Sequence, residues 1–147
     1  MRLYQFVLLI GLSFIGCEKE QSVETMSDSQ FQEVYQMSEM AILMESYYTQ
    51  LEFIRQKVMD NEDIGGYPIS FSKIYRAEMT PTFERNEEFK QRADLFLKET
   101  ELLYKSSNKS KIELYNNAVN SCIECHKSDA GCIGPVKRIQ KLQIKDF

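Results

Sequence analysis

The stretch Ile112-Glu113-Leu114-Tyr115-Asn116-Asn117-Ala118-Val119-Asn120-Ser121-Cys122-Ile123-Glu124-Cys125-His126 places Ile112, Tyr115, Val119, Cys122 and His126 three or four residues apart, the spacing of one helical face. A helix with such a stripe must bury it against other elements. Towards the C-terminal end the chemistry of the stripe changes, because Cys122, Cys125 and His126 follow one another within little more than a turn. Two thiols and the only histidine of the chain therefore share the end of a buried face.

Working outward from that helix, the same period recurs. Phe89, Ala93, Phe96, Thr100 and Leu103 mark the inner face of a long helix to about Lys105, broken by Ser106-Ser107-Asn108. Its start is expected at Thr80-Pro81, with Thr80 capping and Pro81 at the first helical position. Phe71 to Met79 reads as a shorter helix, and Asn61 to Pro68, with Gly65-Gly66 at its centre, as a loop. Before that loop, Val34, Met37, Ala41, Met44, Tyr48, Leu51 and Val58 form the stripe of a helix from about Asp28 to Met59, with Met40, Tyr47 and Ile54 widening it. Ser27 and Gln30 fit a capping box at its start. After Gly134-Pro135, Val136 to Leu142 fits a terminal helix with Val136, Ile139 and Leu142 inward. No strand-like alternation occurs, so the expected fold is all-α, four-helix-bundle-like, with a short C-terminal extension.

The N-terminus points to export. Met1-Arg2 is a short positive region, Leu3 to Ile15 is almost unbroken apolar sequence, and Phe14-Ile15-Gly16-Cys17 follows, the layout of a secretory signal. The apolar run is short for a membrane span. Gly16 before Cys17 resembles the end of a bacterial lipoprotein signal, after which the cysteine becomes the lipidated first residue. The expected organisation is a signal peptide over 1–16, a lipidated tether over 17–27 and one helical domain over 28–147. The expected location is the periplasm or outer membrane, with a lipid anchor at Cys17.

Composition narrows the functional classes. The chain has 147 residues and a net charge of −4, and loss of Arg2 with the signal makes the remainder more acidic, which argues against nucleic acid as a partner. Four cysteines in an exported chain could form two disulfides, but Cys17 and the Cys122/Cys125 pair have other uses, leaving Cys132 as the odd one, expected to be buried under its loop.

Cys122-Ile123-Glu124-Cys125-His126 is a C-x-x-C-H, which reads as a covalent attachment site for one haem c, with two thioether links and the histidine on the iron. Two other readings compete. A thioredoxin-like dithiol needs a βαβ context that the flanks do not offer. A zinc site formed by Cys122, Cys125, His126 and Cys132 would require adjacent Cys125 and His126 to chelate one small ion. Export favours haem, since bacterial haem attachment also takes place outside the inner membrane. Glu124, inside the motif, is expected to face solvent. Lys137 and Arg138 lie just beyond the following turn, where the Arg138 guanidinium in particular could pair with haem carboxylates.

An all-α exported domain of four amphipathic segments, with its C-x-x-C-H near the C-terminus, resembles the class II c-type cytochromes, the cytochrome c-prime group, whose members are up-down-up-down four-helix bundles. Class I cytochromes carry the motif near the N-terminus and a ligating methionine far downstream, whereas here no methionine follows Met79. The resemblance implies Cys122 and Cys125 as the thioether links and His126 as axial ligand. It also places a residue of the first helix at the sixth position, where Met40, then Met44, are the candidate iron ligands. After His126 the chain departs from that group, since Lys127-Ser128-Asp129-Ala130-Gly131-Cys132 leads out of the helix.

The implied function is that of a single-electron carrier with His/Met ligation or an open sixth site, working with redox partner proteins and tied to the membrane through its lipid. The alternatives are a high-spin haem protein binding nitric oxide or carbon monoxide and, on the zinc reading, a Cys3His zinc-binding lipoprotein. An enzyme is not expected, because the single histidine is already taken by iron. A homodimer through helix faces is compatible with the pattern.

Overall fold

The computed structural model describes residues 36–105, 107, 110–129 and 131–145, and the expected signal peptide, Cys17 and the Ser27/Gln30 capping box lie outside them. Three long helices, α1 (Glu39–Met59), α2 (Glu87–Lys105) and α3 (Lys111–Lys127), are joined by a 3-10 segment (Ile69–Tyr75) and followed by the short α4 (Val136–Ile139), which runs on into a 3-10 turn (Gln140–Leu142). The fold is all-α and bundle-like, with no strand among the described residues. None of the described helices is long and apolar enough to cross a membrane.

The first helix starts later than Asp28. Residues 36–38 are not helical, and Ser38 is the N-cap, its hydroxyl accepting the Ala41 N–H at 3.1 Å. Tertiary contacts select that start: Ser38 Oγ lies 2.8 Å from Thr80 Oγ1, and the Met40 N–H donates to the Glu78 carbonyl at 2.9 Å. The far end stops where Asn61 adopts a left-handed backbone, φ 54°, directly after the C-cap Asp60.

Two further boundaries differ from expectation. The segment after the loop is a 3-10 helix, Ile69–Tyr75, in place of a helix over Phe71–Met79; residues three apart eclipse in that geometry, so Phe71 and Ile74 are buried together. The next helix begins at Glu87, not at Pro81, because Asn86 caps it through a 2.8 Å bond from the Phe89 N–H and Glu87 and Glu88 place two carboxylates at its positive end. Thr80 and Phe83 instead close a turn, with the Phe83 N–H on the Thr80 carbonyl at 2.9 Å.

The core has two parts. One gathers Tyr47, Phe71, Phe89, Phe96 and their neighbours between α1, the 3-10 segment and the start of α2, and the other gathers Leu51, Ile54, Leu103, Tyr115, Val119 and the C-terminal Ile139, Leu142 and Ile144. Tyr47 stacks on Phe96 at 5.3 Å and meets Phe71 edge-on at 5.2 Å, while its hydroxyl donates to the Phe71 carbonyl at 2.6 Å. Tyr115 ties α3 to α1 through a buried 3.1 Å bond to the Leu51 carbonyl. Cys122 packs against both parts, so the thiol pair begins where the two halves of the core meet.

Candidate functional site

The last turn of α3 delivers the three motif side chains to one place. At positions i, i+3 and i+4, Cys122, Cys125 and His126 project from one side of the helix and line a common cavity. That cavity measures about 390 Å³, inside the roughly 300–1,000 Å³ range of small-molecule and cofactor sites. Opposite the motif, α1 supplies Met40, Ala41, Met44 and Tyr48, Met37 lies just before that helix, and α2 supplies Phe89 and Phe96. Met79 and Phe83, from the connection before α2, and Ile139 of α4 complete an almost wholly apolar wall.

His126 is oriented by backbone. Its Nδ1 lies 2.7 Å from the Cys132 carbonyl oxygen, which can only accept, so Nδ1 carries the hydrogen. In that tautomer the lone pair lies on Nε2, which makes no hydrogen bond among the described residues. An imidazole whose N–H is held by a carbonyl and whose other nitrogen is bare has the usual disposition of a metal ligand. The turn behind it is tight: Cys125 carbonyl accepts from the Ser128 N–H at 3.2 Å and the Ser128 hydroxyl at 2.8 Å, capping the C-terminus of α3.

Both thiols of the pair are neutral. Burial, with a smaller contribution from Cys125, pushes Cys122 up to about 12, and burial also raises Cys125. The pair sits at the C-terminal end of α3, away from the helix N-terminus that lowers a thiol pKa in reactive dithiols. A thioredoxin-like role therefore lacks both its strand context and its activated thiolate. The zinc set is not assembled either, since no three His, Cys, Asp or Glu side chains converge among the described residues. Cys132 is exposed, contrary to the expected burial: its carbonyl is the part of it that faces His126.

Arg138 lines the rim of the cavity, as its place after the turn predicts, but its partner is a side chain. Nη1 lies 2.7 and 2.8 Å from the two Glu45 carboxylate oxygens, and the guanidinium stacks 3.8 Å from the Tyr48 ring centre. Lys137 is exposed and turned away from the cavity, and Glu124 is exposed beside Lys127 at 3.3 Å.

No protein-family model, curated protein or solved structure matches the chain. Assignment therefore rests on the site. Among its lining residues, Arg92 and Phe83 escaped the sequence pattern. Arg92 was within reach of it, being three residues after Phe89 and four before Phe96 on the inner face of α2. Phe83 was not, because it sits in a connection without period, where Met79 also lies, outside the 3-10 segment that replaces its expected helix.

Of the candidate iron ligands from α1, Met40 is buried and Met44 partly buried, and both line the cavity. An apolar slot walled by two helices, two neutral thiols at its edge and an imidazole with a bare Nε2 fit one covalently held haem. Cys122 and Cys125 would hold it through sulfur and His126 through Nε2.

Proposed function

We propose that the protein is an exported monohaem c-type cytochrome that carries single electrons. The observation that carries this reading is His126, its Nδ1–H committed to the Cys132 carbonyl and its Nε2 left bare beside Cys122 and Cys125 on an apolar cavity. When bound, the haem supplies a one-electron iron couple whose potential depends on axial ligand, hydrogen bonding and burial. The chain does the rest: the apolar walls exclude water, and α1 presents thioethers opposite the histidine. In this reading Met40, with Met44 second, would offer its thioether to the iron, and soft thioether ligation would favour the reduced state and raise the potential. Arg138 at the rim supplies a cation for the haem carboxylates.

No second imidazole exists for proton transfer, so the reading is a carrier and not an enzyme. Lipidation at Cys17 would tether the domain to a membrane of the cell envelope, where redox proteins are its partners. The test is expression with haem-maturation machinery. One haem per chain should stay with the polypeptide through acid-acetone extraction and denaturing electrophoresis. Stoichiometric zinc with no haem stain would reject the proposal in favour of a Cys122, Cys125, His126 and Cys132 zinc site that closes on metal binding.

A further inference from the structure

We infer that Gly131 is a positioning residue for His126, the one place in the turn where a missing β-carbon lets the chain fold back far enough for the Cys132 carbonyl to hold the imidazole. The potential it would govern rests on the haem reading; the placement of the ring does not.

The geometry is specific. A β-carbon at Gly131 would lie 2.2 Å from the Cys125 carbonyl oxygen, 2.7 Å from His126 Cα and 2.9 Å from the Cys125 carbonyl carbon. All three are backbone atoms of the last turn of α3, and backbone in a hydrogen-bonded helix end cannot swing aside as a side-chain tip can. The requirement is close approach and not an unusual backbone, since Gly65 is the positive-φ glycine of the described residues. The Gly131 N–H donates to the Ser128 carbonyl at 3.1 Å, and one residue later the Cys132 carbonyl reaches Nδ1 at 2.7 Å. A backbone turn thus presses on the motif from behind and fixes both the tautomer and the direction of Nε2. A carbonyl accepting from Nδ1–H makes the ring a stronger donor at Nε2, and loss of such outer contacts typically weakens metal ligation or activity about 10–100-fold.

The same turn contains its own control. A β-carbon at Gly134 would find nothing closer than Cys132 Sγ at 3.8 Å, an ordinary contact. Gly131→Ala and Gly134→Ala should therefore behave oppositely.

The full chain has one histidine, so nitrogen-15 NMR of the haem-free protein gives one imidazole spectrum without assignment. We expect the Nδ1–H tautomer in wild type and in Gly134→Ala, and its loss in Gly131→Ala with helicity retained by circular dichroism. In haem-loaded protein, Gly131→Ala should raise the midpoint potential while Gly134→Ala leaves it unchanged. Retention of the Nδ1–H tautomer in Gly131→Ala, or equal effects of the two substitutions, would overturn the inference. Should Gly131→Ala fail to fold, the wild-type spectrum still decides: an Nε2–H imidazole in the haem-free protein would mean that the Cys132 carbonyl does not hold Nδ1–H and would reject the clamp. Absence of covalent haem alongside the expected tautomer pattern would leave the clamp standing and reject the cofactor reading instead.

Discussion

Arg138 and Glu45, 93 residues apart in sequence, form an ion pair at 2.7 and 2.8 Å that joins α4 to α1 across the rim of the cavity. Both side chains are about half exposed, so solvent screens the pair and it contributes little to holding the fold together. Its placement, next to the Tyr48 ring and on the lining of the cavity, matters more than its strength.

If the cavity holds the proposed haem, opposite charges at that rim should move the iron couple in opposite directions. Arg138→Leu removes a cation that disfavours the oxidised, more positive state, so the midpoint potential should fall; Glu45→Gln removes an anion, so it should rise. Neither should alter covalent haem retention, which on the proposed reading would depend on Cys122 and Cys125. Spectroelectrochemical titration at low and high salt checks the signs, and shifts of one sign for both variants would place the pair away from the haem.

The alkaline side of the stability curve is set by buried phenols. Burial raises both Tyr47 and Tyr115 well above the usual value near 10. Below about pH 10 both are neutral in the folded and unfolded chains, and the stability is intact. As pH rises beyond that, the unfolded chain ionises while the folded one does not, and stability falls by up to about 1.4 kcal/mol per pH unit for each group. In the haem-free chain the Cys122 thiol, pushed up to about 12, and the Cys125 thiol, also raised by burial, add to this from about pH 9, which thioethers cannot do. Urea melts across this range should show the alkaline decline starting earlier without haem and flattening in Tyr115→Phe.

How much of this was legible in the sequence follows from which interactions are local. The inner face of α2, from Phe89 to Leu103, and the face of α3 from Tyr115 to Cys122 read correctly, because burial of a helix stripe imposes its own period on the sequence. The start of α1 did not, because Ser38 is a cap by virtue of Thr80 and Glu78, some forty residues away. The α1 stripe was read slightly rotated. Met40, Leu43, Tyr47, Leu51, Ile54 and Val58 form the buried line, while Ala41, Met44 and Tyr48 flank it and, with Met37 just before the helix, border the cavity. A periodic pattern cannot separate a face that meets other helices from one that meets a site. For the site itself, the motif was visible at once, but its orienting carbonyl was not, since a backbone acceptor leaves no mark on residue type. Gly131 is the exception in hindsight: a glycine shortly after C-x-x-C-H is the trace of that close approach.

On the proposed lipidation, membrane attachment would rest on one side chain. Cys17→Ser should abolish acylation and release the domain into the soluble periplasmic fraction, because a single cleaved signal leaves nothing else apolar enough over 18–35 to hold it and none of the described helices can span a bilayer. Fractionation with metabolic lipid labelling checks this. Unchanged membrane association in that variant would show that Cys17 is incidental.

The methionines decide between a carrier and a gas binder. Met37, Met40, Met44 and Met79 all line the cavity, and Met40 is the most buried of them at 7% exposure. Met40→Ala should cost about 2 kcal/mol, the low end for removing a buried methionine, because one side of it faces the cavity and not packed core. If Met40 ligates the iron, the same substitution should abolish a low-spin spectrum with its methionine-to-iron charge-transfer band and allow rapid carbon monoxide binding. Loss of that band in Met44→Ala alone would move the ligand one turn along α1, roughly 5.4 Å, and leave the carrier function intact. Loss in Met79→Ala alone would assign ligation to the connection before α2, a possibility that only the structure raises. If wild-type protein is high-spin and binds carbon monoxide quickly, and none of the substitutions alters its spin state, the methionines are apolar lining. The sixth position is then open, and binding of a diatomic gas replaces electron transfer as the function.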